Sequence, residues 1–159
     1  MEQISSELES IIAEKATVLW SAANDCFGFL SDLGFGPPRL KIREDKIFLR
    51  LVRIEYTSDA GRKLVIELAP ASIKYDKDDA IIALIHKDSD ARPKSLSVED
   101  YICEHDKAME ETFDCIPRAG DYAASVKRIL EIFGRYLQGD LRDVLEGKEW
   151  ITGYDVAMA

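Results

Sequence analysis

One stretch near the middle of the chain, CEHDKAMEETFDC (103–115), concentrates side chains that could do chemistry. It holds two cysteines, one histidine and five carboxylates. Thiolate and imidazole groups bind zinc, and a thiol beside an imidazole can act as a nucleophile. A solvated acidic surface is the third interpretation of the same residues, and helical geometry decides between the three.

The spacing of these ligands does not favour a metal site. A helix is predicted from 98 to about 114, and Ser97 opens it with a capping-box pattern. In that helix, Cys103 and His105 are turned roughly 200° from each other, and Cys103 and Cys115 lie about 18 Å apart. No CxxC pair occurs in the chain. The sequence therefore predicts no metal and no cofactor.

Catalytic arrangements are not favoured either. A cysteine could meet His86 or His105 in space, but acidic neighbours raise a thiol pKa and so weaken the nucleophile. The segment KYDKDDA (74–80) lacks the glycine and glutamate of a calcium loop, which predicts a solvated turn. Nucleotide-binding and hydrolase fingerprints are absent from the sequence. We predict no catalytic residue and no enzyme activity.

The remaining interpretation of residues 103–115 is an acidic helix face. Residues 88–115 carry three basic and nine acidic groups, and the whole chain has a net charge of −9. Such a surface repels nucleic acid and would steer a basic protein partner. The predicted partner-binding residues are Glu99, Tyr101, Glu104, Asp106, Glu110 and Glu111.

A basic segment stands against this acidic background. Residues 38–67 carry eight basic and five acidic groups. Alternation places Arg39, Lys41 and Arg43 on one strand face, and Arg50 and Arg53 extend the row. Glu55 and Glu67 are predicted to pair with these cations across strands. A ladder of exposed ion pairs and a binding patch for an acidic partner both fit.

The order of elements predicts an α+β domain of two layers. Apolar residues at helical spacing predict a long N-terminal helix over 5–32, with a break near Gly28. An antiparallel sheet of about four strands follows, including a strand over 80–86 that is apolar on both faces. A β-bulge is predicted near Leu51, and TSDAG (57–61) is a hairpin turn. Two or three helices then close the chain, over 98–114, 121–138 and 140–146.

Length and composition fit one domain over residues 1–159. The first residues lack the basic n-region of a signal peptide, and no window has the roughly 18 uncharged apolar residues of a membrane span. The three cysteines are expected to be reduced and structural. We therefore expect a cytoplasmic protein that does not bind membranes.

A pocket between the sheet and the helices is the alternative site. Tyr56, Tyr75 and His86 would supply polarity to an apolar cavity, and the protein would then be a small-ligand-binding or regulatory domain. Self-association through a sheet edge or through the tail Trp150–Tyr154 is also possible for this sequence.

Three segments together resemble a known kind of protein. They are CFGFLSDLGF (26–35), IEYTSDAGRKLVIELA (54–69) and EIFGRYLQGDLRDVLEG (131–147). Their combination resembles small uncharacterised bacterial α+β families of the immunity-protein-like kind. The resemblance implies a cytosolic, non-enzymatic protein that binds and blocks a toxin, and it implies no particular functional residue.

Overall fold

A computed structural model describes residues 2–43, 51–69, 79–88, 94–107 and 121–154 of the chain. Its helices and strands follow in the order α1 (Glu2–Cys26), a 3₁₀ helix (Gly28–Leu33), β1 (Arg39–Arg43), β2 (Leu51–Thr57), β3 (Arg62–Ala69), β4 (Ala80–Lys87), β5 (Lys94–Ser97), α2 (Val98–His105), α3 (Tyr122–Gln138) and α4 (Arg142–Leu145). No helix in these ranges has the length and apolar character needed to cross a membrane.

The described strands form one antiparallel sheet in the order β1-β2-β3-β4-β5. The predicted α+β class, with a long N-terminal helix and C-terminal helices, is therefore confirmed. The sheet has five strands among these residues, where the sequence predicted about four. The additional strand is KSLS (94–97), which is too short for alternation to reveal, because only Leu96 is apolar.

The helices cover one face of the sheet. That face presents one parity of each central strand, and its side chains are almost fully buried: Val52, Ile54, Tyr56, Leu64, Ile66, Leu68, Ile81, Ala83 and Ile85. From the helical layer, Leu19, Phe27, Leu30 and Phe133 are also buried. Burying side chains of this size stabilises a fold by about 1.5–3 kcal/mol each. The two-layer packing is therefore the main source of stability.

The first helix ends where the sequence indicated a break. α1 stops at Cys26, and a turn of 3₁₀ helix carries the chain to Gly34, whose φ of 90° only glycine adopts readily. Gly36 N then donates to Thr57 O at 2.9 Å, which docks the exit of the helix onto the end of β2. The predicted break near Gly28 is thus confirmed, and the part of the predicted helix beyond it is a 3₁₀ helix.

The helix that carries the acidic residues is shorter than predicted. Ser97 caps α2 as expected, because its side chain accepts a hydrogen bond from Asp100 N at 3.2 Å. The helix ends at His105, however, where Asp106 leaves the helical conformation. The predicted continuation beyond residue 107 and the predicted bulge before Leu51 lie outside the described residues.

The second face of the sheet carries the predicted cross-strand ion pairs. Arg53 on β2 pairs with Glu67 on β3, and Lys41 on β1 reaches Glu55 at 3.0 Å. The carboxylates are not exposed as in the predicted ladder of exposed ion pairs, since Glu55 is 7% exposed. Burial alone would raise the pKa of Glu55, but hydrogen bonds from Lys41 and Arg53 outweigh it and lower the pKa.

Strand β4 differs from its prediction on this second face. The sequence predicted a strand covered on both sides. Ile81, Ala83 and Ile85 are buried under the helices, whereas Ile82 and Leu84 on the other face are half-buried. The strand therefore alternates in burial although its sequence is apolar throughout.

Arg62 fastens the C-terminal segment to the β2–β3 hairpin. This buried guanidinium donates from Nε to Val144 O at 2.8 Å and from Nη2 to Glu149 O at 3.3 Å. Its Cζ also lies 5.5 Å from the centroid of the Trp150 ring. Trp150, a residue of the tail suggested for self-association, thus contacts its own chain.

A buried carboxylate joins α1, the start of β4 and α3. Asp79 has no exposed surface, although the sequence predicted a solvated turn at this position. Lys15 Nζ and the Tyr122 hydroxyl each lie 2.6 Å from Asp79 Oδ2. Burial, followed by the hydrogen bond to Asp79, raises the pKa of Tyr122 well above its usual value. The prediction of a solvated turn is wrong at Asp79 because partners from two helices replace water.

We predict that Lys15→Met lowers the free energy of unfolding by about 3 kcal/mol, because it removes the cation that compensates a fully buried charge. Tyr122→Phe should cost about 1.5 kcal/mol, the contribution of one hydrogen bond to a charged group. Urea denaturation followed by circular dichroism measures both values.

Lys127→Met is the matched control. Lys127 Nζ lies 3.8 Å from Asp25 Oδ2, and both side chains are at least half exposed, at 50% and 59%. Surface pairs of this kind contribute about 0–1 kcal/mol. Equal losses for the two lysine variants would contradict a structural role for the buried carboxylate.

Candidate functional site

The predicted partner-binding residues divide between two faces of α2. Tyr101 and Glu104 lie on one side of this helix and Glu99 lies on the opposite side, because each residue turns the helix by roughly 100°. Asp106 is the extended residue at which the helix ends. Glu104 is exposed, and Glu99 and Asp106 are half-buried. Glu110 and Glu111 lie outside the described residues. On the Tyr101 side, several further side chains of the described residues meet in one cluster.

Tyr101 is the centre of an aromatic cluster. The His105 ring stacks on it with a centroid distance of 4.1 Å and an interplanar angle of 26°. The rings of Tyr136 and Tyr154 meet it edge-on, with centroid distances of 6.4 and 5.3 Å. The Tyr101 hydroxyl donates to Asp140 Oδ2 at 3.2 Å. Burial, and then Asp140, raises the pKa of Tyr101.

Tyr154 brings the C-terminal segment into the same cluster. Its carbonyl oxygen accepts a hydrogen bond from Ser97 N at 3.0 Å. Burial, followed by the influence of the Glu104 carboxylate, raises the pKa of Tyr154. We name the set Tyr101, Glu104, His105, Tyr136, Asp140 and Tyr154 the tyrosine–carboxylate patch.

The parts of the patch have different roles. Tyr101 is 8% exposed, so its ring supports the cluster from below and is not itself available for a large contact. His105, Glu104 and Asp140 are exposed, and Tyr136 and Tyr154 are half-buried. The surface therefore combines aromatic edges with carboxylates at the rim. Protein interfaces commonly use this combination.

Sequence reasoning missed Tyr136, Asp140 and Tyr154. They come from the end of α3, the turn after it and the C-terminal tail, which are distant from α2 along the chain. No periodicity connects these segments, so a single sequence carries no signal that they meet. His105 follows Tyr101 by four residues, a spacing that predicts one helix face for both side chains, and the stacked rings confirm it.

Tyr56 lines a groove of about 420 Å³ at the end of α1. Phe27, Leu30 and Phe35 form its apolar wall, and Asn24 supplies a polar group. Burial, followed by a contribution from Cys26, raises the pKa of Tyr56 to about 12. Tyr75, the second predicted pocket residue, lies outside the described residues.

His86, the third predicted pocket residue, does not line this groove. In the sheet register Tyr56 pairs with Leu64, whereas His86 pairs with Lys63, so the two rings lie on opposite faces. His86 Nδ1 instead makes a short hydrogen bond with Ser95 Oγ. Burial, and then the charges of Lys63 and Arg53, lower the pKa of His86. One pocket containing both Tyr56 and His86 is therefore excluded.

The cysteines and acidic groups form no metal centre in the part of the chain that the structure describes. Cys26 and Cys103 are thiols, and Cys115 lies outside this part. Burial is the largest cause that raises the pKa of Cys26, and Glu131 adds to it. A raised thiol pKa lowers the fraction of reactive thiolate at neutral pH.

We predict that His86 makes stability depend on pH. Its folded pKa lies below 6.5, so the unfolded state binds more protons as the pH falls through 6.5, and the free energy of unfolding decreases. His86→Gln should lose this component between about pH 7.5 and 5.5. Urea denaturation at several pH values measures it. His105→Gln, which removes the other histidine, is the control and should keep the decrease; an equally steep decrease in His86→Gln would contradict the assignment.

Comparisons with protein-family models, with curated proteins and with solved structures found no match for this chain. The resemblance of three segments to immunity proteins therefore stays a prediction. Function must be inferred from the contacts, the burial and the charges of the patch and the groove.

Proposed function

We propose that the chain is a non-enzymatic protein-binding module whose tyrosine–carboxylate patch docks a basic partner protein. The observation that supports this most is the assembly of Tyr101, His105, Tyr136 and Tyr154 in one cluster from three separate parts of the chain. Tyrosine and other aromatic side chains are enriched in the energetically dominant centres of interfaces.

Pre-organisation favours tight binding at this patch. The Tyr101 hydroxyl is held by Asp140, and His105 Nδ1 lies 2.8 Å from Tyr101 O. Tyr154 is held at its carbonyl oxygen, which accepts a hydrogen bond from Ser97 N, and its ring packs against Tyr101. Side chains that are already ordered lose less conformational entropy on binding, and each immobilised side chain would otherwise cost about 0.5–1.5 kcal/mol.

Charge favours a basic partner. Glu104 and Asp140 lie exposed at the rim, and Asp100 and Asp143 are exposed nearby in the sequence. The net charge of −9 gives the whole molecule the same sign. Opposite charge on a partner would speed its association and align it before contact.

The basic partner of the patch would be a toxin. A basic toxin, such as a nuclease whose own surface must attract phosphate, has the charge that this patch would bind. The chain would then act as a cytoplasmic, immunity-type inhibitor in a bacterial cell. This part rests on the resemblance of the three segments given above together with the charge of the patch.

The groove at Tyr56 supports a second candidate function. A cavity of about 420 Å³ with aromatic walls and one amide side chain is suited to a small, mainly apolar ligand. The chain would in that case be a ligand-binding or regulatory domain. Thermal-shift screening with a metabolite library distinguishes it, because hits should disappear in a Ser31→Trp variant that fills the groove.

We predict that a photo-crosslinker placed at the patch captures a specific partner. With p-benzoylphenylalanine in place of His105, irradiation of the native host cells should yield one dominant basic protein. The same group in place of Glu14, exposed on α1, should not capture it. With the captured protein purified, Glu104→Lys should slow association about tenfold at low salt.

Glu14→Lys is the matched control, because it makes the same change of charge away from the patch and should alter association less than about twofold. Capture of the same proteins from positions 105 and 14 would contradict the proposal. So would association that neither Glu104→Lys nor added salt slows.

A further inference from the structure

The edge of the sheet formed by β1 differs from the opposite edge. At β5, Ser97 N donates to Tyr154 O, so the C-terminal segment occupies one backbone donor at that edge. Strand β1 pairs with β2 on one side, and none of the described strands pairs with its other side. A sheet edge of this kind presents backbone donors and acceptors to another extended chain.

Two large apolar side chains mark this edge. Leu40 and Ile42 are 41% and 47% exposed, and among the described residues they are the exposed large hydrophobics. Their register partners are Ile54 and Val52, so they lie on the face of the sheet that the helices cover further in. The apolar face of the sheet therefore continues beyond the helical layer onto β1.

The groove lies at the start of the same strand. Its wall includes Pro37 and Pro38, which immediately precede β1, and Tyr56, which is on the same face as Leu40. An apolar side chain of a segment lying along β1 could enter this groove. The groove thus supplies an anchor point, and the strand supplies a backbone template.

The basic side chains of β1 determine which kind of extended segment could pair with this strand. Arg39 and Lys41 lie on the other face of β1, and both are exposed. Lys41 also reaches Glu55 on β2 at 3.0 Å, so a bound segment would share this cation with Glu55. A second copy of the chain, paired so that the apolar faces continue, would place cation opposite cation, for example Lys41 against its own equivalent. Like charges directly opposite each other destabilise a strand pair, whereas opposite charges stabilise it.

We propose that β1 accepts an extended segment of another protein in which acidic and apolar residues alternate. The backbone of that segment would add a sixth strand to the described sheet. Its acidic side chains would pair with Arg39 and Lys41, and its apolar side chains would cover Leu40 and Ile42 and enter the groove. This surface lies at the opposite edge of the sheet from the tyrosine–carboxylate patch, so the two proposals succeed or fail separately.

The test uses a fluorescein-labelled hexapeptide in which glutamate alternates with valine, and fluorescence anisotropy measures its binding to the full chain. In an extended strand, the N–H groups of alternate residues point to opposite sides. N-methylation of the residues of one parity should therefore weaken binding more than about tenfold, because up to three hydrogen bonds to β1 are lost. N-methylation of the other parity should change binding by less than about threefold.

Variants of the chain test the charge. Arg39→Gln combined with Lys41→Gln should weaken binding of the glutamate–valine peptide about fivefold. Arg142→Gln combined with Lys148→Gln removes the same charge from exposed positions elsewhere and should leave binding unchanged. A peptide with lysine in place of glutamate should not bind.

Four results would overturn the proposal. They are the absence of saturable binding, equal binding of the two N-methylated peptides, equal weakening by the two double variants, and a homodimer that Ile42→Asp dissociates. The last result, measured by analytical ultracentrifugation, would assign the edge to a second copy of the chain.

Discussion

The carboxylate of Asp79 is buried without any contact with solvent, and it holds three elements in place. An uncompensated charge in a protein interior costs several kcal/mol, so Lys15 and Tyr122 stabilise the fold by reaching this position. That requirement fixes the distance between α1, α3 and the start of β4. The helical layer then lies at a defined height above the sheet, and both the groove at the end of α1 and the arrangement of α3 beneath the patch depend on it.

Much of the fold could be predicted from local pattern. The alternation of the strands, the cap at Ser97 and the apolar stripe of α3 are each encoded within a few residues, and the structure confirms them. The short strand β5 could not be predicted, because its pairing with β4 comes from the sheet and not from its own four residues. The end of α2 at His105 was missed because nothing in the local sequence breaks the helical period there.

The candidate site was less predictable because its groups come from distant segments. Lys15 lies at helical spacing between the apolar residues Ile12 and Leu19 of α1, and a lysine in that position is a signal of a buried partner. The pattern cannot say which carboxylate it meets. The same limit applies to Tyr101, for which helical phase identified His105 but not Tyr136 or Tyr154. In the sequence, His86 and Tyr56 were equally plausible pocket residues because each lies on an apolar strand. The register of the sheet shows that they lie on opposite faces.

The guanidinium of Arg62 has a consequence for biosynthesis. Its two carbonyl acceptors lie 82 and 87 residues further along the chain, at Val144 and Glu149. A ribosome adds about 5–20 residues per second, so roughly 4 to 17 seconds pass between the synthesis of Arg62 and the synthesis of its two acceptors. During that interval the β2–β3 hairpin can form from local contacts, but its Arg62 end stays hydrated. The contacts of Arg62 are thus completed only after residues 144–149 have been synthesised, which is later than the hairpin that carries this guanidinium.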